Sequence, residues 1–406
     1  MATDNENRIL NVPNLRFPEF SEEWKKTKIG DITSKVGSGV TPRGGSAVYK
    51  TAGHLFIRSQ NVGNGCFLLD DVAYIDETTH KRQINTELKE GDVLLNITGA
   101  SIGRSAVVDS SVAGGNVNQH VCIIRLQNNI SPNFICNYLL SYGGQKQIDS
   151  FQAGGNREGL NFEQIRSIKF SIPSFEEQCK ISTLLSLLDR RIATQNKIIE
   201  DLKKLKSAIS KQIFTQKPIG WNKLDTLFSK GKAGGTPTST NKEYYNGDIP
   251  FLSINDITKQ GKYIRYTENH LSQSGLENSS AWIVPVYSLI MSMYASVGLV
   301  TINEVPITTS QAMFAMELKD NDLLDYLYYY LSYFKYRHIH KYLETGTQSN
   351  INADIVRGIM IPDYRRRRNM EIASTLRSID AKIDNELSVL EQFNRQKNYL
   401  LSQMFI

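Results

Sequence analysis

The feature that most constrains this chain is a long amphipathic stretch that occurs twice. From Glu176 to Phe214 no proline or glycine interrupts the sequence, and apolar residues recur at steps of three, four or seven. This a/d spacing is typical of a helix that packs along another helix. The same pattern returns 191 residues later. The seam positions are Leu188, Ile192, Ile199, Leu202 and Ile209 in the first stretch, and Ile379, Ile383, Leu390, Phe393 and Leu400 in the second.

Two helices with matching seams in one polypeptide can bury those seams on each other. The pattern therefore predicts an antiparallel pair of long coiled-coil helices that acts as a spacer. A straight helix of about 35 residues is about 50 Å long at 1.5 Å per residue. The alternative is that each stretch is an ordinary amphipathic helix packed only on its own domain.

The formal net charge of +6 lies on the helical stretches. Residues 176–214 and 365–406 carry +3 each, whereas residues 1–175 carry +1 and residues 215–364 carry −1. Lys and Arg displace condensed counterions from DNA, so a basic spacer could lie near phosphates. The alternative is that the flanks of coiled coils are commonly charged.

The segments before each helical stretch also repeat. Residues 56–62 match 251–257, and Ala100–Gly103 match Ala295–Gly298, at a constant offset of 195. The same offset aligns 96–99 with 291–294, where the residue types differ. Similar scaffold residues with different polar residues between them predict one fold that presents two different surfaces.

Short β-type runs separated by turn residues, together with helical runs, predict two mixed α/β domains, each with a twisted, largely antiparallel sheet. The predicted fold class is α+β, with two similar domains related by a pseudo-two-fold axis and separated by the paired helices. The predicted boundaries are 1–175 for the first domain, 176–214 for the central helix, 215–364 for the second domain and 365–406 for the C-terminal helix.

Several classes of function lack their sequence signals. The chain has no GxxxxGK[ST] loop, no dinucleotide-binding fingerprint and no Asn-Pro-Pro-aromatic tetrapeptide. The four cysteines form no close pair, and there is no apolar run of eighteen residues. We expect a cytoplasmic binding protein with no catalytic residues, no metal, no cofactor and no membrane segment.

The candidate binding surface consists of polar loops that follow predicted strands. Arg can pair bidentately with guanine and Asn or Gln with adenine, so such loops suit base reading in the major groove. The alternative for any one residue is a solvated turn. The first-domain candidates are Thr41, Arg43, Arg58, Ser59, Gln60, Asn61, Thr98, Ser101, Arg104, Asn118, Gln119, His120, Asn156 and Arg157. The second-domain candidates are Thr236, Ser253, Asn255, Ser292, Tyr294, Ser296, Ser310, Gln311, Gln348 and Asn350.

Nearly the whole chain resembles the specificity subunit of type I restriction-modification systems. The resemblance rests on the segments 14–18, 39–42, 94–104, 118–120, 159–162 and 172–178. The second copy departs from it, because Leu299 replaces Arg104 and Arg366–Arg368 stand where Glu-Glu-Gln is expected.

The resemblance implies that each domain is a target-recognition domain for one half of a bipartite, asymmetric double-stranded DNA sequence, and that the helices set the unread spacer. It also implies two methyltransferase subunits docked on this chain and restriction/translocase subunits attached through them. The rival interpretation is a non-catalytic scaffold for proteins, with two peptide- or glycan-binding domains.

Overall fold

The computed structural model of this chain describes residues 10–44, 48–152, 159–342 and 350–406. They form two compact units. The first unit extends to Asn196 and includes the C-terminal segment Ser388–Ile406, and the second unit is Lys197–Leu387. Each of two long helices therefore contributes one part to each unit. The predicted domain boundaries stay predictions.

The described part of the first unit contains short strands and four short helices before the first long helix. The strands are β1 Lys25–Lys28, β2 Thr33–Ser38, β3 His54–Ile57, β4 Ala73–Ile75, β5 Val93–Asn96, β6 Ser105–Val107, β7 Asn116–Val117, β8 Val121–Leu126 and β9 Lys169–Ile172. The helices are α1 Glu77–Arg82, α2 Pro132–Leu140, α3 Tyr142–Gln152, α4 Phe162–Ser167 and the long α5 Phe175–Phe214.

These strands form more than the one sheet expected from sequence. An antiparallel four-stranded sheet has the order β2-β8-β5-β6, and a three-stranded sheet has the order β4-β3-β7, in which β3 and β7 are parallel. The strands β1 and β9 pair separately. Alternating apolar residues indicate which segments are strands but not which edges meet, so the sequence did not show this division.

The second unit has the same plan. Its strands are β10 Gly220–Lys223, β11 Phe228–Ala233, β12 Tyr245–Leu252, β13 Tyr263–Ile264, β14 Asn269–Leu271, β15 Leu289–Ser292, β16 Val300–Asn303, β17 Thr308–Thr309, β18 Met313–Leu318 and β19 Met360–Asp363. Its helices are α6 Ile254–Gln260, α7 Gln273–Glu277, α8 Leu324–Arg337, α9 Ala353–Gly358 and the long α10 Arg366–Gln403.

The sheets of the second unit repeat those of the first, with one added strand. The five-stranded sheet has the order β11-β18-β15-β16-β13, the three-stranded sheet β14-β12-β17, and β10 pairs with β19. The added strand β13 lies parallel to β16 at the sheet edge. The two units therefore share one mixed helix and sheet fold, as the repeat predicted.

The pairing corrects the alignment of 96–99 with 291–294. Asn96 pairs with Val121, and Ser292 pairs with Met313 at the equivalent place. The structural counterpart of Asn96 is therefore Ser292, at an offset of 196. The turn between β5 and β6 is one residue shorter in the second unit, and the constant offset in sequence concealed this deletion.

The repeated asparagines before α4 and α9 are helix caps. Asn161 Oδ1 accepts the Gln164 amide at 2.8 Å, and Asn352 Oδ1 accepts the Ile355 amide at 2.9 Å. An N-cap side chain satisfies one of the free amides at a helix start. Asn161, which contributes to the family resemblance, and its counterpart Asn352 therefore have a structural role.

Both long helices contribute residues to the hydrophobic core of each unit. In the first unit Leu188 at the beginning of α5 and Leu400 at the end of α10 belong to one hydrophobic core. In the second unit Ile213 at the end of α5 belongs to one core with Ile372 at the beginning of α10. This is the direction expected for antiparallel helices. A single coiled coil along both seams stays a prediction.

Two equivalent ion pairs join the helices. In the first unit Lys397 Nζ lies 2.5 Å from Asp189 Oδ1, and in the second unit Lys206 Nζ lies 2.5 Å from Asp380 Oδ1. Asp380 also accepts the Tyr329 hydroxyl at 2.8 Å. Burial and this carboxylate raise the pKa of Tyr329. Because lysine and aspartate both recur at the offset of 191, each unit repeats the same contact.

Among the described helices, none combines the length and apolar character that crossing a membrane requires. The described residues also contain no cluster of three or more His, Cys, Asp or Glu side chains suited to a metal ion.

Candidate nucleic-acid interface

In the first unit, hydrogen bonds join the turns that follow β3 and β5. The Asn96 side chain is fully buried at the end of β5, and its Nδ2 donates to the Ser59 carbonyl at 2.8 Å and to Ser101 Oγ at 3.1 Å. Thr98 Oγ1 lies 2.6 Å from His120 Nδ1, which adds the turn before β8. The structure therefore brings together three of the predicted loops.

A fourth loop is held by a contact that both units share. Gln119 Oε1 accepts the Thr41 hydroxyl and, at 3.0 Å, the Thr41 amide. In the second unit Gln311 Oε1 accepts the Thr236 hydroxyl in the same way. A contact that is identical in both units stabilises the common fold and does not distinguish their surfaces.

Glycine permits the close approach of this loop to the sheet. A Cβ on Gly39 would lie 1.7 Å from the Val117 carbonyl oxygen, and a Cβ on Gly234 would lie 1.9 Å from that of Thr309. Real Cβ atoms do not approach carbonyl oxygens so closely, so only glycine fits.

Three of the predicted residues are buried and act within the fold. Asn61 is 1% exposed and its Oδ1 accepts the Arg58 amide at 3.1 Å. Asn118 is 7% exposed and its Oδ1 accepts the His120 amide at 3.1 Å. Ser292 is fully buried. Such side chains position the loops, and they are poorly placed to meet another molecule.

In the second unit the short turn after β15 is organised by Ser292. Its Oγ donates to the Ser296 carbonyl at 2.8 Å and accepts the Leu299 amide at 2.9 Å. Ala295 and Ser296 have φ of 38° and 55°, the left-handed conformation that favours glycine. Tyr294 at the tip is 40% exposed. The shorter turn therefore presents an aromatic ring at the position of Thr98.

The polar residues of the remaining turn differ between the units. Arg58 and the exposed Gln60 follow β3, whereas Ser253 and the exposed Asn255 follow β12. Ser253 caps α6, and its Oγ accepts the Asp256 amide at 3.2 Å. Arginine is thus replaced by a capping residue at this position.

Arg104 is the clearest unsatisfied cation of the first unit. It is exposed, and among the described residues no hydrogen bond or ion pair holds its guanidinium. Arg43 is exposed in the loop that Gln119 holds. Leu299, the counterpart of Arg104, is partly buried against the second unit's core. The cation is therefore present in one unit only.

Two acidic residues that sequence reasoning missed contact the predicted turns. Asp71 Oδ2 accepts Gln60 Nε2 at 2.7 Å, and Glu268 Oε2 accepts Asn255 Nδ2 at 3.0 Å. Hydrogen bonds from Lys259 and then Asn255 lower the pKa of Glu268. The offset between the acids is 197 rather than 195, so the repeat gave no signal for them.

The remaining predicted positions are only partly placed. Asn156, Arg157 and Gln348 lie outside the described residues. Asn350 is half-buried just before Ile351, whose amide donates to the Met293 carbonyl at 3.1 Å. Ser310 Oγ accepts the Ala312 amide at 3.3 Å.

Of the predicted seam positions, Leu188, Ile199, Ile383 and Leu400 are each less than a tenth exposed. The other six are partly buried: Ile192, Leu202, Ile209, Ile379, Leu390 and Phe393.

Comparison with known proteins identifies the family. The sequence profile of the type I restriction modification DNA specificity domain matches residues 21–204 and again residues 218–394. This chain belongs to that family. The two matches together span most of the chain, and each includes one set of the loops described above. The family favours the DNA interpretation over the rival scaffold.

Specificity subunits are also found among the curated relatives. A protein of Methanocaldococcus jannaschii assigned as the MjaX type I restriction enzyme specificity subunit is 23% identical, over 97% of this chain and 95% of that protein. The HindI specificity subunit of Haemophilus influenzae is also 23% identical, over 75% of this chain and 82% of its own length.

Solved structures of the same systems share the fold. The S subunit of a type I restriction-modification system from M. genitalium matches with a TM-score of 0.58 and 14% identity, over 97% of this chain and 99% of that chain. A chain from a study of complex assembly in a type I restriction-modification system matches with a TM-score of 0.59 and 15% identity, over 93% and 96% of the two chains.

Proposed function

We propose that this chain selects the DNA target of a type I restriction-modification complex, and that each unit reads one half of a bipartite, asymmetric sequence. The observation that supports this proposal is the division between shared and unshared contacts. Both units hold their loops with the same threonine–glutamine pair, whereas the exposed side chains around that pair differ. Different donors and acceptors on one scaffold suit two different base sequences.

The exposed residues that differ between the units are the proposed base-reading set, and the buried ones support them. In the first unit the exposed Arg104 and Gln60 are presented by turns that Asn96 and Asn61 anchor, and the half-buried His120 lies beside them. In the second unit Tyr294 and Asn255 have the corresponding places. Asn156, Arg157 and Gln348 stay in the proposed set on sequence grounds alone.

The proposed complex supplies the chemistry from other subunits. Two methyltransferase subunits would dock on this chain and methylate adenines in the two half-sites, and restriction/translocase subunits would attach through the methyltransferases. The chain itself would act as a non-catalytic reader of double-stranded DNA. Its effective affinity would exceed that of either unit alone, because binding of one half-site raises the effective concentration of the other.

The proposal is tested by the variant Arg104→Ala in the complex. Methylated adenines mapped in the source genome define the target, and competition binding then measures each base-pair substitution. We expect a loss of about 1 to 3 kcal/mol at one position of one half-site, as for a bidentate guanine contact. Lys89→Ala, which removes an exposed cation of the same unit, is the control. Equal weakening on random duplexes would make Arg104 a phosphate contact, and absence of a bipartite target would refute the proposal.

The spacer role of the helices has a separate test. Removal of about one heptad from α5 and the facing heptad from α10 should change the distance between the methylated half-sites and leave their sequences intact. Genome methylation mapping measures both quantities. An unchanged spacer in a complex that still methylates would refute this role.

A further inference from the structure

The turn after β3 contains a three-residue arrangement built around Asp71. Its Oδ2 accepts the Gln60 amide at 2.7 Å and lies 3.3 Å from an Arg58 guanidinium nitrogen. Arg58 also donates to the Asp71 carbonyl at 3.0 Å. The segment that carries Asp71 is also held by the buried Asn61, which donates its Nδ2 to the same carbonyl at 2.7 Å. The backbone at Asp71 is therefore held against the turn, and the carboxylate, which is 79% exposed, contacts both Gln60 and Arg58.

The second unit builds the same arrangement from other residue types. Glu268 Oε2 accepts the Asn255 amide at 3.0 Å, and its other oxygen forms an ion pair with Lys259. The anchor is again a buried side chain, since fully buried Asp256 accepts the Glu268 backbone amide at 3.0 Å. Each unit thus contains an amide, a carboxylate and a cation on an anchored segment.

The recurrence is informative because it is not a simple copy. Gln60 and Asn255 are related by the offset of 195, but Asp71 and Glu268 are related by 197. The cations come from different positions, since Arg58 precedes its amide whereas Lys259 follows it. The fold's core does not require this contact, because all three groups lie at the surface in the second unit. A contact rebuilt from different residues at the same place indicates a shared task.

The chemistry of an amide defines that task. The two ends of a Gln or Asn amide have almost the same shape, so an exposed amide can turn by 180° and exchange donor for acceptor. An ionised carboxylate only accepts hydrogen bonds, so it selects the NH2 end. The carbonyl oxygen and the second N–H then stay available in one defined order. This is the pair of groups that recognises the N6 and N7 atoms of adenine in the major groove.

We propose that Asp71 and Glu268 are positioning residues that fix the orientation of Gln60 and Asn255 for contact with an adenine edge, one in each half-site. The inference rests on the proposed function and adds to it a base identity and the residue that enforces it. The carboxylates lie close to where a duplex would bind, so they also repel phosphates. Each therefore lowers general affinity for DNA while it raises discrimination.

The test uses Asp71→Asn and Glu268→Gln in the full complex. Each is isosteric and offers its amide neighbour either a donor or an acceptor, so the order of groups is no longer enforced. The matched controls are Asp70→Asn and Asp248→Asn. Each removes an exposed carboxylate of the same unit that is not bonded to Gln60 or Asn255. The measurement is competition binding with duplexes that carry each base-pair substitution in the mapped target, and with a random duplex.

We expect Asp71→Asn to lose about tenfold in discrimination at one A·T position of one half-site, to keep the profile of the other half-site, and to bind random duplex more tightly. Glu268→Gln should do the same in the other half-site. The controls should bind random duplex more tightly with unchanged discrimination. A merely structural role would weaken all binding and lower the melting temperature.

Three outcomes would overturn the inference. If Asp71→Asn and Glu268→Gln leave base discrimination unchanged, the inference fails while the proposed function stands. If discrimination is lost mainly at a G·C position, the inference also fails. If the unaltered complex discriminates at no position of either half-site, the proposed function fails and the inference fails with it.

Discussion

The ion pair between Arg16 and Glu177 gives a quantitative prediction. Arg16 Nε and Nη2 each donate to one oxygen of Glu177 at 2.7 Å, and the side chains are 13% and 1% exposed. The hydrogen bond to this carboxylate raises the pKa of Arg16. Removal of one partner from a buried pair costs about 3 to 5 kcal/mol, because the other charge is left uncompensated. Since Arg16 can reach some solvent, we expect Glu177→Ala to cost about 3 kcal/mol.

The assay is equilibrium unfolding in urea followed by the fluorescence of Trp24, which is 3% exposed in the same unit. Trp221→Phe and Trp282→Phe in the background leave Trp24 as the reporter. For an m-value of about 2 kcal/mol/M, the expected loss lowers the midpoint by about 1.5 M.

A matched control is available on the same segment. Glu19 pairs with Lys180, and these side chains are 44% and 46% exposed. An exposed pair contributes about 0 to 1 kcal/mol, so Glu19→Ala should leave the midpoint nearly unchanged. The double variant Arg16→Met with Glu177→Leu should recover most of the loss. A cost below about 1 kcal/mol for Glu177→Ala would refute the reasoning.

Two further predictions concern the first unit. Gly39→Ala would place a Cβ 1.7 Å from a carbonyl oxygen of β7 and should destabilise the unit by about 2 to 3 kcal/mol in urea unfolding, whereas Gly37→Ala meets no atom within 4 Å and should cost much less. Equal costs would contradict this close approach. Burial raises the pKa of the Cys122 thiol to about 12, so it stays protonated at pH 8. It should resist iodoacetamide in the folded chain and react after denaturation; mass spectrometry that finds fast labelling of the native chain would contradict this.

The repeat made much of the fold predictable. Positions that face the core are apolar in both copies although the residue types differ, so the strands at β5 and β8 and the two long helices could be placed from the apolar pattern. The separate three-stranded sheet could not be, because β3 and β7 are distant in sequence and pair in parallel. The one-residue deletion after β15 was also hidden, because one extra residue before β15 raises the offset from 195 to 196 and the deletion returns it to 195 by Gly298.

The departure of the second copy at Arg366–Arg368 has a physical explanation. Glu177 pairs with Arg16, which lies in the segment before β1 of the first unit, whereas only a short connection separates α5 from β10 in the second. The strands before the two long helices are related by an offset of 191, which shifts the expected correspondence by one residue: Arg367 and Arg368 stand at the positions of Glu176 and Glu177, and Asn369 at that of Gln178. Arg368 is half exposed, with Glu371 as its ion-pair partner. Sequence comparison shows that the residue changed, but the reason lies in a partner from a distant segment.

The candidate site was predictable in location more than in composition. Loops after strands could be named, yet Asn61 and Asn118 were counted as readers although the fold buries both. A polar side chain in a loop has the same appearance in sequence whether it faces inward or outward. The sequence pattern did not indicate Asp71, because it is eleven residues from Gln60, whose amide it accepts.

The two amide–carboxylate pairs also bear on how new target preferences could be engineered. Gln60 with Asp71 contains as many methylene groups as Asn255 with Glu268, only distributed the other way. Shortening one partner without lengthening the other would open a gap that a single substitution cannot close. The amide and its carboxylate must therefore be exchanged together. Libraries that vary only one of the two residues would contain mostly mismatched pairs.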